Sequence, residues 1–86
     1  MPEISRFYGI VIRMWPNDDH HGPHFHARHG GDNILVRISD EYVEGNMPPR
    51  QIAMVKRWLR LHRAELLENW RLMREGELPR YIQPLD

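Results

Sequence analysis

Five of the chain's six histidines fall between His20 and His29. Histidine changes charge near neutral pH, and its neutral ring is a common metal ligand, so this stretch is where chemistry is expected. Along an extended backbone alternate side chains share a face, which puts His24, His26 and Arg28 on one side and Phe25 and Ala27 on the other. Positions i and i+2 lie roughly 6.5–7 Å apart along a strand, within range of one shared metal ion. His20 or His21 on the preceding loop adds a third nitrogen, and Asp18 or Asp19 an oxygen. Three protein ligands with one open position make the donor set of a catalytic zinc site, so a divalent metal such as zinc on His20, His24 and His26 is one expectation. Without a metal, His24 and His26 suit a general acid and base, one ring neutral while its neighbour is protonated. Arg28 or Arg37 would then face the charge developing on a phosphate. Structural or partner-contact use of the histidines is the third reading, and the residues alone leave all three open. Pro23 favours extended geometry at Gly22 and so fixes how the strand is entered.

A second group of chemistry-bearing residues is basic. Arg50, Lys56, Arg57, Arg60 and Arg63 occupy a stretch with no acid between Pro48 and Ala64, whereas Glu65, Glu68, Glu75 and Glu77 come later beside Arg71 and Arg74. On a helix this opposes the macrodipole, which favours acids at the N-terminal turn and bases at the C-terminal one. Lys56, Arg60 and Arg63 fall on one stripe. A basic stripe kept against local preference points to phosphates or an acidic partner. Solvated bases paired to acids elsewhere are the plainer alternative.

These groups must be held by a small framework. The 86 residues suffice for one domain, 1–86, with a modest core. There is no cysteine, which removes disulfides and thiolate metal sites, and twelve basic residues balance twelve acidic ones, so no global field steers the chain. No apolar run approaches the roughly 20 residues that span a bilayer, and the opening run lacks a signal-peptide layout. A cytoplasmic protein that avoids membranes is expected.

The pattern predicts an α+β fold: an antiparallel meander of three to four strands packed on a long or bent helical segment. Phe7 to Trp15 reads as one strand, covered on both sides because both alternation classes are apolar. Further strands are expected from His24 to the Gly30-Gly31 turn, over Asn33–Ser39, and briefly over Tyr42–Glu44. Gly45-Asn46-Met47-Pro48-Pro49 punctuates the change to helix, with the N-cap near Asn46 or Met47. Ile52, Val55, Leu59, His62, Leu66, Asn69 or Trp70, and Met73 form one apolar seam, widened by Trp58, Leu61 and Leu67. Trp58 and Trp70 are expected in the core. Gly76 stops the helix, which runs straight or bends near His62-Arg63-Ala64. Leu78 to Pro84 is expected to return as a short edge strand, where its prolines are tolerated.

The opening residues Met1–Met14, the stretch Pro23–Ala27, the helical stretch Leu61–Trp70 and the closing Ile82-Gln83-Pro84-Leu85 together resemble the bacterial domain-of-unknown-function family numbered 4160, over nearly the whole chain. Its motif falls here on His24 and His26, and on His62, Glu65, Asn69 and Trp70. Position 29, usually aromatic, is His29 here, and the doubled His20-His21 is local to this chain, so a site on His21 or His29 would not be a family trait. The resemblance implies a component of a toxin–antitoxin-like two-gene module, paired with a small protein encoded nearby (domain of unknown function 2442) and acting by protein contact and by nucleic-acid contact. A metal-independent ribonuclease-like toxin using His24 and His26, and a histidine-cluster metal-binding protein, are the alternatives.

Overall fold

The computed structural model describes residues 2–15 and 22–86. Five strands form one antiparallel sheet in chain order: β1 (Glu3–Phe7), β2 (Ile10–Arg13), β3 (His24–His29), β4 (Asp32–Arg37) and β5 (Val43–Asn46). One helix follows, α1 (Pro49–Arg74). The α+β meander expected from the pattern is present, with one strand more than foreseen.

The extra strand is β1, which shares only Phe7 with the stretch read as a single strand over Phe7–Trp15. The chain reverses within that stretch at Tyr8-Gly9, where both φ angles are positive (50° and 78°). Such angles suit the primed two-residue turns that match the twist of a hairpin. Glycine adopts them freely, but tyrosine in the left-handed region costs roughly 1 kcal/mol or more. Tyrosine so disguises the turn that the run looks unbroken. Both alternation classes persist on β2, with Ile10 and Ile12 on one face and Val11 on the other. Phe7, Ile10 and Ile12 face the core with Phe25, Ala27, Ile34 and Val36, while Arg6, Val11, Arg13, His26, Arg28 and Leu35 pair across the opposite face.

Helix α1 begins at Pro48 as N-cap, one residue beyond the expected span, with Pro49 in the first turn where no N–H is missed. The expected seam is buried at Val55, Trp58, Leu59, Leu66, Asn69, Trp70 and Met73. Leu61 and Leu67, expected to widen it, are exposed. The helix bends at His62, whose φ and ψ (−125°, 24°) leave the helical region. Trp58 packs on Phe25 (ring centroids 5.7 Å apart) and Trp70 on His24 (5.0 Å). Phe25 and His24 are neighbours that alternate between faces of β3. One helix therefore covers both, and its bend divides the two contacts.

Residues 77–86 return along β1 without forming a regular strand. Ile82 is buried and its N–H donates to the Ile4 carbonyl at 2.8 Å, while the Ser5 hydroxyl donates to the Ile82 carbonyl. Pro79 and Pro84 donate no backbone hydrogen bond, which limits the expected edge strand to this one clasp. The Trp58 indole N–H donates to the Gln83 carbonyl and fastens the far end.

Candidate functional site

The first turns of β3 hold the two family histidines. The imidazoles of His24 and His26 lie 5.3 Å apart, centroid to centroid, at 75°. The shared face expected from strand alternation is what brings them together. Their surroundings differ. His24 is fully buried against Trp70, and its Nδ1 lies 2.7 Å from the Gly22 carbonyl. A carbonyl accepts only, so Nδ1 carries the proton and Nε2 keeps its lone pair in the neutral ring. His26 is partly exposed, with its ring 4.1 Å from that of Trp15. Trp15, His26, His24 and Trp70 thus form a row of rings in edge-on and tilted contact joining sheet to helix.

This geometry bears on each chemical reading. An Nδ1–H donated to a backbone carbonyl is how metal-binding and proton-accepting histidines are commonly oriented. His20, the third expected metal ligand, lies outside the described residues, as do His21, Asp18 and Asp19. Among the described residues no three histidine, aspartate or glutamate side chains gather to hold a metal. The two arginines expected beside a phosphate are engaged locally. Arg28 is exposed and its Nε–H donates to the Gly30 carbonyl at 3.0 Å. Arg37, cross-strand from His24, forms a two-pronged pair with Asp40 at 2.8 and 2.7 Å and lies over the Tyr42 ring. Its guanidinium and the Tyr42 N–H hold the Asp40 carboxyl down at about 2.

The basic stripe divides in two. Arg60 grips both oxygens of Glu41 at 2.9 and 2.7 Å. Arg63 adds a third bond to Glu41 at 3.0 Å and donates to the Ile38 carbonyl. The Arg60 fork, with help from Arg63, draws the Glu41 carboxyl down to about 2. Glu41 itself sits at φ 65°, in the turn between β4 and β5. These two arginines are therefore a clamp between helix and sheet. Sequence reasoning missed Glu41, because only the turn's left-handed geometry aims it at α1. Arg50 and Arg57 have no acidic partner among the described residues and line a groove with Tyr8, Met54, Leu85 and Asp86. Lys56 lies on the same half of the helix, partly buried.

The remaining family positions serve the second half of the helix. His62 Nδ1 lies 2.6 Å from Glu65 Oε1 at the bend, with its ring 5.7 Å from that of Trp58. Asn69 is buried and braces the backbone of Arg80. A smaller pocket of about 300 Å³ opens there, lined by Ala64, Glu65, Glu68, Asn69, Arg80 and Tyr81 among others. No helix among the described residues is long and apolar enough to cross a membrane.

No curated protein and no solved structure matched the chain. The family comparison did: with its sequence pattern matched over residues 9–71, the chain belongs to the family described as Domain of unknown function (DUF4160).

Proposed function

We propose that the chain is a binding component of a toxin–antitoxin-like two-gene module, acting by contact with a small protein encoded nearby. The observation that carries this reading is the exposed apolar side chains of the returning segment, beside the pocket at Asn69. Leu78 is 84% exposed and Tyr81 60%, and Tyr81 lines the pocket beside Asn69. Large apolar side chains kept in water next to a pocket are typical anchors of a protein interface. The Asn69 and Ile82 hydrogen bonds fix the returning segment, so the surface is preorganised and a partner need not order it. Co-expression with the neighbouring gene product tests the reading. A stable complex on size-exclusion chromatography, lost on Leu78→Glu with Tyr81→Glu, is expected. Two independent species at micromolar concentration would remove it.

The oriented His24 ring favours a second reading, a ribonuclease-like toxin in which His24 and His26 exchange protons with an RNA hydroxyl and phosphate. Full burial of His24 weighs against it, since a general base must reach its substrate. Growth inhibition and RNA cleavage, both abolished by His26→Ala, would establish this chemistry. A wild-type chain that does neither would exclude it.

A further inference from the structure

We infer that the groove between the Tyr8-Gly9 turn and the first half of α1 binds single-stranded nucleic acid, one base resting on Tyr8 while Arg50 and Arg57 hold phosphate. The groove encloses about 620 Å³, within the size range of small-ligand sites, which run from roughly 300 to 1,000 Å³. Three features of its lining select the occupant.

The first is charge. Arg50 and Arg57 stand two helical turns apart on one face with Met54 between them, and both line the groove. Among the described residues neither is paired with an acid, in contrast to Arg60 and Arg63 on the same helix. Guanidinium forks match phosphate oxygens in pairs, so an anion placed here meets donors that no intramolecular partner occupies.

The second is a flat apolar surface. Tyr8 is 59% exposed, and its backbone is held in a left-handed turn that would suit asparagine or glycine better. With Met54 and Leu85 it gives the groove an apolar wall. Cations beside an exposed aromatic ring are the combination that binds single strands, where bases stack and phosphates follow. An acidic peptide would use the arginines but would leave the ring unoccupied.

The third is Asp86, which also lines the groove and whose carboxylate can accept from a base amino group or a ribose hydroxyl. This site lies on the basic half of the helix and owes nothing to the apolar surface proposed for the protein partner. Either proposal survives the failure of the other.

Fluorescence anisotropy of the full chain with a fluorescein-labelled mixed-sequence RNA of roughly ten nucleotides tests it. Low-salt binding should weaken about tenfold or more in Arg50→Gln with Arg57→Gln, with a flatter salt dependence. Tyr8→Ala should weaken it about fivefold or more, and Tyr8→Phe should restore it, because the ring and not the hydroxyl carries the stacking. Circular dichroism of each variant should match the wild type, since all three side chains are exposed. Absence of wild-type binding overturns the proposal. So does an equal loss in Lys56→Gln, which would mean diffuse charge attraction, or equally tight binding of a polyglutamate peptide. Binding of a free nucleoside monophosphate with none of the labelled strand would also overturn it, by assigning the groove to a small molecule.

Discussion

The side-chain amide of Asn69 is bonded twice to the backbone of Arg80: its Nδ2–H donates to the Arg80 carbonyl and its Oδ1 accepts from the Arg80 N–H, both at 2.8 Å. A peptide unit in a sheet would find the same pair of bonds on a neighbouring strand. Asn69 supplies them from a helix, and so docks the returning segment beside α1. Truncating it leaves two backbone groups unpaired in a part-buried place. Asn69→Ala is expected to cost about 2–3 kcal/mol in urea unfolding, from a lost pair of hydrogen bonds and the desolvated groups left behind. Asn69→Asp should cost a similar amount, because a carboxylate cannot donate to the Arg80 carbonyl. If both variants unfold at the wild-type midpoint, the brace contributes nothing.

The Glu41 clamp predicts a specific acid response. Its carboxyl is depressed to about 2 from an ordinary 4.5, chiefly by the Arg60 fork. A depressed carboxylate stabilises the fold only while ionised. Its contribution is therefore complete above about pH 4.5 and lost progressively as pH falls toward 2. Glu41→Gln should lower stability at pH 7 by about 1–2 kcal/mol, the scale of hydrogen bonds to charged groups, and should remove part of the acid-side slope. Thermal melts at a series of pH values would show the wild-type and variant curves converging near pH 2. Parallel curves throughout would mean that the pair has no net effect.

The histidines separate structural from chemical roles. His24 fills space between His26 and Trp70 and is fully buried, so His24→Ala leaves a cavity and should cost about 2–4 kcal/mol by analogy with large-to-small core changes. His26 is only partly covered, and His26→Ala should cost about 1 kcal/mol or less. If a divalent metal joins His24, His26 and His20, zinc should raise the melting temperature of tag-free wild type and leave His26→Ala unmoved. A wild-type protein indifferent to zinc removes that reading.

Much of this architecture was legible because it rests on local patterns. The alternation of Ile34, Val36 and Ile38 and the Gly30-Gly31 turn place β4, and the three-four spacing from Val55 to Met73 places the helix seam. Two features were not decided by such reading. Tyr8 occupies a turn position whose preferred residues are glycine and asparagine, so the run from Phe7 to Trp15 looked unbroken and β1 before it went unread. The bend at His62, one of the two courses left open for the helix, has no glycine or proline to decide it. It separates the Trp58 contact on Phe25 from the Trp70 contact on His24, a demand of tertiary packing that no window of sequence contains. The same holds for the candidate sites. Strand alternation brought His24 and His26 together, but whether an arginine on α1 is clamped or free depends on Glu41 and its left-handed turn.

Gly45 sets a boundary that the loop composition did not reveal. Its φ is 104°, and a Cβ there would sit 2.4 Å from the Asn33 carbonyl oxygen on β4. Backbone on backbone has little room to give way, so Gly45→Ala should cost about 3 kcal/mol or more and loosen β5 from the sheet. Gly31→Ala, with nothing within 4 Å of the added carbon, is the control and should be nearly neutral. Faster amide exchange at Asn33 and Leu35 in the first variant alone would locate the damage at the β4–β5 edge.

Tyr8 tests whether strain is retained for a purpose. Asparagine tolerates the left-handed region better than tyrosine, and the Tyr8 ring is mostly exposed, so little packing is lost in Tyr8→Asn. The substitution is expected to raise stability by about 0.5–1 kcal/mol, the usual gain from matching a residue to its turn. Natural chains sit short of their stability optimum, so the strain alone assigns no role and binding by the same variant is the discriminating readout. Tyr8→Asn should stabilise the hairpin while weakening RNA binding in the adjoining groove, and the two effects are read from chemical denaturation and anisotropy on the same sample. A variant that is more stable and binds RNA unchanged would leave the strained tyrosine without the role assigned to it.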